Sequence, residues 1–467
     1  MPPFYATLLT IAFVVILLAG DSRKRGEANG ALWLPVLWIA ITGSRFVSQW
    51  IGLGEPVGAG GDDSEGSPID AFFFLTLILA GIGVLVRRRV VLAEVMRKNR
   101  WLIAFIIYSF LAILWSDFPF IAFKRWVKTI GHPVMALIIL TDPNPVNAVR
   151  TVLKRCSYLL IPFSVLFIKY FPQFGRGFDP YTGDPVNNGV GLTKNDLGYL
   201  CMVFGLFHFW NLLSTLRAGH RGGRWEIVLS LIFLCMIGWL LQMANSATSL
   251  LAFVLGMVTI FVVDLRVVNK RLIGTYAIVG ILITIGAELT LDLHAEMLDL
   301  LGRDPTLTDR TKLWADVLAM HDSPILGVGF ESFWLGWRLE TLWAKWWWHP
   351  NQAHNGYIDI YLSLGAVGVV LLIGVVVSTF RKISRQLVSN FDFARLRLGF
   401  LVAIVAFNFT EAGFKGVHLV WTVFYIIAME YPSAESRRTS RTRATGRERQ
   451  ADRLTGHAAG QARSHGA

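Results

Sequence analysis

Three observations predict an all-α integral membrane fold, a polytopic helical bundle of about 12–13 transmembrane helices. First, 54% of the 467 residues are hydrophobic and 16% are charged, against roughly 25% charged in soluble domains. Second, the apolar residues fall in continuous runs of about 17–25, the length a helix needs to cross a bilayer. Third, many of the basic residues behind the formal charge of +12 sit in short loops and the C-terminal tail, as the positive-inside bias expects. That distribution argues against a nucleic-acid partner. Continuous runs also argue against a β-barrel, which needs short alternating segments. Cys156, Cys201 and Cys235 lie in or beside apolar runs and read as buried free thiols without disulfide or metal spacing.

The first run, Phe4–Gly20, is followed rather than preceded by basic residues, Arg23, Lys24 and Arg25. It therefore reads as a retained helix with its N-terminus outside, not as a signal peptide. Runs at Ala31–Gly52, Ala71–Val86 and Trp101–Trp115 come next. The acidic, Gly-rich Glu55–Asp70 between the second and third runs suits an external loop. Arg87, Arg88, Arg89, Arg97, Lys98 and Arg100 mark a cytoplasmic one. A helix leading to Leu140 then carries Lys124 and Arg125 at its external end, against the usual charge bias. Either they snorkel to the interface beside Trp126 or they serve a local function.

Further runs are Cys156–Phe171, Leu197–Leu216, Trp225–Met243, Ala247–Leu265, Leu272–Leu291, Ile358–Phe380, Leu396–Phe409 and Val417–Tyr431. Basic residues alternate with them: Arg217, Arg221 and Arg224, then Arg266, Lys270 and Arg271, then Lys382, Arg385, Arg395 and Arg397. Residues 1–431 thus form one membrane domain. An odd number of spans places residues 432–467 inside the cell, an Arg-, Ser- and Gly-rich tail too polar to repay ordering. The loop 292–355 within the membrane domain lies outside.

That loop is the long polar island of the chain, so polar chemistry is sought there first. A helix is expected from Asp309 to about Met320, capped by Thr308, with Leu313, Trp314, Val317 and Leu318 on one apolar stripe. Arg310 in its first turn reads, on spacing alone, as a surface residue paired with Asp309 or Asp304. Trp343, Trp346, Trp347 and Trp348 suit an interfacial belt. His354 stands at the external start of a membrane helix, where the helix end favours neutral imidazole and anionic ligands. His349 and His354 are the one pair suggestive of a metal, but no carboxylate or thiol completes a ligand set, and neither metal nor cofactor is expected.

Several motifs together resemble one family. They are Trp115-Ser116-x-x-Pro119 with Lys124-Arg125; Lys194-Asn195-x-x-Gly198; and Gly302-Arg303-Asp304 with Arg310-x-x-x-Trp314. Ile325-Leu326-Gly327-x-Gly329 and His354-Asn355-x-Tyr357 follow. From Trp115 to Glu411 the chain is similar to the O-antigen ligase and exopolysaccharide-polymerase superfamily of bacterial membrane glycosyltransferases, with the exopolysaccharide-polymerase branch the nearer. The resemblance implies a GT-C-like fold in the bacterial inner membrane with one large periplasmic catalytic loop. It also implies metal-independent, inverting transfer of glycan from undecaprenyl diphosphate to a hydroxyl of an acceptor glycan or lipid A core. Polysaccharide-assembly proteins would be further partners. Carried onto this chain, His354 is the base, Glu411 the acidic residue of the late helices, and Arg310 the diphosphate ligand, with Asn195, Trp314, Asn355 and Tyr357 in support.

Two departures stand out: Thr193 precedes Lys194-Asn195 where many members have His, and Ala247 in Ser246-Ala247-Thr248 replaces an arginine. Lys124, Arg125, Lys194 or Arg303 would then supply the missing phosphate-binding charge. The rival class is a polysaccharide or lipid-linked oligosaccharide flippase. Transporters collect polar and helix-breaking residues near mid-membrane, whereas these motifs collect at one face.

Overall fold

The computed structural model describes residues 1–24, 30–52, 67–179, 183–219, 223–280 and 310–432. Arg303, Asp304, the Thr308 cap, part of the expected span Leu272–Leu291 and the tail lie outside the described residues. The chain is an all-α multi-pass membrane protein. Among the described residues, eight helices are long and apolar enough to cross a membrane. In order the helices are α1 (Pro3–Lys24), α2 (Trp33–Thr42), α3 (Val47–Trp50), α4 (Pro68–Arg87), α5 (Leu92–Lys98), α6 (Arg100–Leu111), α7 (Pro119–Leu140), α8 (Pro145–Tyr170) and α9 (Pro172–Gly175). A hairpin of two three-residue strands, Arg176–Phe178 and Pro185–Asn187, precedes α10 (Lys194–Ala218), α11 (Arg224–Ala244) and α12 (Ala247–Asp264). After the polar loop, α13 (Arg310–Ala319) and α14 (Gly336–Lys345) lead to α15 (Gly356–Ser389), α16 (Phe391–Thr410) and α17 (Leu419–Ala428).

Four expectations change. The run Ala31–Gly52 is not one span: it is a 3-10 turn (Gly30–Leu32), then α2, then a break at residues 43–46, then α3. Gly43 caps the end of α2, and within the break the Arg45 guanidinium reaches the carbonyls of Gly191 and Phe174. The expected Ile358–Phe380 helix extends over 34 residues, but Gly365 interrupts its helical backbone with φ +63°. Arg395 and Arg397, read as loop residues, are buried inside α16. Arg395 pairs with Asp264 and Asp392, and Arg397 pairs with Glu430 and donates to the Ile427 carbonyl. Finally, Cys156 and Cys201 are buried as expected but Cys235 is exposed, because much of the outer face of α11 faces away from the bundle.

The core lies where α7, α8, α10, α16 and α17 meet, with Trp38, Phe204, Phe400 and Phe424 among its large buried side chains. Many apolar residues of α1, α4, α11 and α12 remain exposed, as expected for a lipid-facing surface. The two ends of the bundle differ in chemistry. One gathers ion pairs such as Lys154–Glu226, Arg217–Asp264 and Arg397–Glu430. At the other end the polar loop packs against the N-terminal ends of α7 and α15 and the segment leading into α17.

Candidate active site at the loop face

Docking of the loop onto the bundle explains the Ile325-Leu326-Gly327-x-Gly329 motif. Where Gly365 breaks α15, helix amides are left without helical partners. Ala366 N–H donates to Pro324 O at 2.9 Å, and Val367 N–H to Ile325 O at 3.2 Å. In return Val328 N–H and Gly329 N–H reach the carbonyls of Leu362 and Ser363. Glycine is required on both sides: Gly327 has φ +76° and a side chain there would lie 2.4 Å from Leu364 N. At Gly365 it would meet Ile325 O at 2.2 Å. The motif therefore splices the loop into the helix that begins beside His354.

Helix α13 forms where expected and is described from Arg310 to Ala319. Leu313 and Val317 are buried in a small loop core with Val328, Phe333, Leu342 and Leu362, while Leu318 is exposed. The Trp314 indole donates to Ala353 O at 2.7 Å, anchoring the irregular segment that leads to His354. The tryptophan cluster is partly spent inside the loop: Trp346 donates to Asp316 and Trp343 to Pro350 O. The Trp343 ring also stacks on His349, 4.9 Å between centroids. His349 and His354 thus have different partners. Among the described residues no three metal-ligating side chains come together.

His354 occupies the left-handed region at φ +50°, a strain that persists only where its surroundings hold it. The next residue supplies the hold. The Asn355 side chain caps α15 by accepting from Tyr357 N–H and Ile358 N–H, and it donates to Phe409 O at 2.9 Å. Gly356 N–H donates to Glu411 O at 3.1 Å. Tyr357 turns inward and its hydroxyl donates to Val405 O, which makes it a packing residue. The start of α15 is thereby laced to the end of α16, bringing His354 against Glu411.

Glu411 is the hub. Its Oε2 lies 3.2 Å from His354 Nδ1 and its Oε1 2.9 Å from Arg310 Nη2. Asn195 donates to Oε1 at 2.8 Å, and Arg310 Nη1 donates to the Thr410 carbonyl. Burial alone would raise the Glu411 carboxyl, but Arg310 and the His354 hydrogen bond more than offset it and hold it down at about 2. Gln352 Nε2 also approaches Nδ1, at 3.4 Å. The charged carboxylate is the stronger acceptor, so Nδ1 carries the proton toward Glu411. Among the described residues nothing bonds Nε2, which keeps its lone pair in this tautomer.

The basic residues separate. Arg310 pairs with Glu411; Asp309 and Asp304, its expected partners on spacing, lie outside the described residues. Lys194 is paired with Asp179, and Lys124 lies 4.9 Å over the Phe120 ring. Arg125 donates to Glu331 O at 2.5 Å and lines a cavity of about 720 Å³ beside the His354 cluster. Ala247 sits beside the hub, since the adjacent Thr248 bonds Thr410 at 2.8 Å. Sequence reading missed Lys415, Glu331 and Asp359, which also line the cavity. Lys415 was visible as an isolated charge between two apolar helices, four residues past Glu411.

Residues 231–373 match the family described as O-antigen ligase. The chain is also 28% identical over 311 residues to the exopolysaccharide production protein ExoQ of Rhizobium meliloti (strain 1021). That alignment covers 62% of this chain and 66% of the relative, so the chain spans just under two thirds of the relative's length. Both matches support the O-antigen ligase and polysaccharide-polymerase superfamily seen in the motifs.

Proposed function

We propose that this protein is an inverting glycosyltransferase that moves glycan from undecaprenyl diphosphate to an acceptor hydroxyl at the periplasmic face of the inner membrane, as a polysaccharide polymerase or O-antigen ligase. The observation that carries this reading is the contact of His354 Nδ1 with Glu411, itself braced by Arg310 and Asn195. A base oriented by a carboxylate, which in turn is oriented by a third group, is the arrangement that activates a weak hydroxyl nucleophile.

The acceptor O–H loses its proton to Nε2 as its oxygen attacks the anomeric carbon from the face opposite the diphosphate. The C1–O bond to phosphate breaks, its electron pair leaves with undecaprenyl diphosphate, and the anomeric centre inverts. Glu411 stabilises the imidazolium so formed. Arg310 spends two of its five N–H donors on Glu411 and Thr410. Among the described residues the remaining three have no such commitment, and they suit the departing oxygens, where a planar guanidinium grips phosphate best. A lipid-linked donor also accounts for a polar site built against the ends of apolar helices, since the polyprenyl tail stays in the bilayer while its glycan stays in water.

The test is reconstitution of the purified protein in nanodiscs with a lipid-linked glycan. Longer glycans, or glycan joined to an added acceptor, should appear in step with free undecaprenyl diphosphate. Glycan that crosses the bilayer of a proteoliposome still attached to its lipid would instead establish a flippase.

A further inference from the structure

A second carboxylate stands close to the base, and nothing in the chemistry above uses it. Asp359 is buried in the first turn of α15. Its Oδ1 accepts from Ala353 N–H at 3.0 Å and from Trp334 Nε1 at 2.9 Å. Its Oδ2 is buried and has no hydrogen-bond partner among the described residues. Burying a carboxylate with one oxygen left bare is costly. The reason for keeping it is to be sought in what Oδ1 holds.

Ala353 is gripped on both sides. Its N–H goes to Asp359, and its carbonyl accepts from Trp314 Nε1 at 2.7 Å. The Trp314 bond fixes the peptide plane between Ala353 and His354, and the Asp359 bond fixes the plane before it. His354 itself sits at φ +50°, a conformation a non-glycine residue keeps only where its neighbours over-determine it. On its other side Asn355 and Gly356 are already laced to the end of α16. To relax, His354 would therefore have to rotate the planes on the Ala353 side, and that rotation would swing its imidazole off Glu411. A hydrogen bond to an ionised acceptor is stronger than one to a neutral acceptor, which suits a clamp that holds strain.

We propose that Asp359 is a positioning residue of the reaction: with Trp314 it clamps Ala353, and the clamp holds His354 in the strained backbone conformation that sets Nδ1 against Glu411. This rests on the reading of His354 as the base and adds the residue that keeps the base in place. Asp359 acts through the backbone of Ala353 and carries no proton in the reaction. The demand on the clamp is strict, since a misplacement of about 1 Å can cost on the order of 10²-fold in rate.

The experiment measures kcat and KM for extension of lipid-linked glycan by the full-length protein in nanodiscs, using monodisperse variants whose melting temperatures are recorded. Asp359→Ala should lower kcat roughly 10- to 100-fold and leave KM within about twofold, because substrate still binds a site whose base is displaced. Asp359→Asn keeps an acceptor of the same shape without its charge, and should return to within about tenfold of wild type. Trp334→Phe removes the other donor to Oδ1 and leaves Ala353 gripped, so its kcat should stay within about threefold of wild type. A wild-type kcat in Asp359→Ala refutes the clamp. So does a rise in KM at unchanged kcat, which would make Asp359 a substrate-binding residue. If Trp334→Phe loses as much as Asp359→Ala, Asp359 acts through the loop wall and the clamp is again refuted. An Asp359→Asn protein that melts like wild type but is as slow as Asp359→Ala would show that charge, not the grip on Ala353, is what matters. Should Asp359→Ala not fold, Trp314→Phe, which frees the other side of Ala353, takes its place under the same criteria. A wild type that extends no glycan refutes the glycosyltransferase reading itself, a separate outcome from all of these.

Discussion

Glu411→Gln removes one charge and almost no volume, and it isolates the chemical role of the hub. The carboxyl is held at about 2 against an ordinary 4.5, equivalent to about 3 kcal/mol favouring its charged form. The folded-state value is depressed, so this stabilisation is complete above pH ~4.5 and is lost as pH falls toward 2. Independently, removing one partner of a buried ion pair costs about 3–5 kcal/mol. At neutral pH, Glu411→Gln should therefore melt several degrees below wild type while still inserting into the membrane.

Catalysis should suffer more. The glutamine can still accept from Arg310 and Asn195, but its amide donates toward His354 Nδ1. That favours the opposite imidazole tautomer, with the proton on Nε2 and no lone pair facing the acceptor. Loss of a general base costs about 10²–10⁴-fold, and the rate of glycan extension in nanodiscs should fall by that factor. The stability difference between wild type and variant should narrow in melts run from pH 7 to pH 3. An extension rate near wild type in a folded Glu411→Gln protein would refute the claim that Glu411 sets the tautomer.

His354→Gln should lose a similar 10²–10⁴-fold in rate with protein level and insertion unchanged, because the residue lies outside the apolar core of the spans. Extension at the wild-type rate would make it a structural histidine. Arg310→Lys should lose most of what Arg310→Ala loses, since an ammonium cannot serve the Thr410 carbonyl, Glu411 and phosphate in one planar fork; full activity would reduce Arg310 to a point charge. Asn355→Ala should cost about 1 kcal/mol through the lost cap and also slow extension, because Asn355 holds His354 in place; a variant that melts lower but extends normally would separate the cap from the site. With Cys235 replaced by Ser, a cysteine at the exposed Thr341 should react with an impermeant maleimide in intact spheroplasts. Labelling only after lysis would invert the orientation.

The helical membrane class was legible in composition and run length because bilayer thickness imposes a length on any spanning helix whatever its neighbours. The helix start at His354 was legible through local chemistry, since it is set by adjacent residues, whereas Asn355 came only from the family resemblance and its capping bond from the structure. Arg310 shows where such reading stops. Its sequence neighbours suggested a surface pair with Asp309 or Asp304, both outside the described residues, and nothing local pointed to Glu411, the partner 101 positions away. Gly327 stood in a motif without a reason and Gly365 looked like an ordinary glycine until the loop was seen spliced into the broken helix. Lys194 and Lys124 were equal to Arg125 and Lys415 as charges on a string. Only the fold paired Lys194 with Asp179 and turned Arg125 and Lys415 into one cavity. Periodicity and capping act over a few residues and are written in order along the chain. Which charge meets which depends on how helices far apart in sequence pack, and that is settled by the burial of the whole bundle.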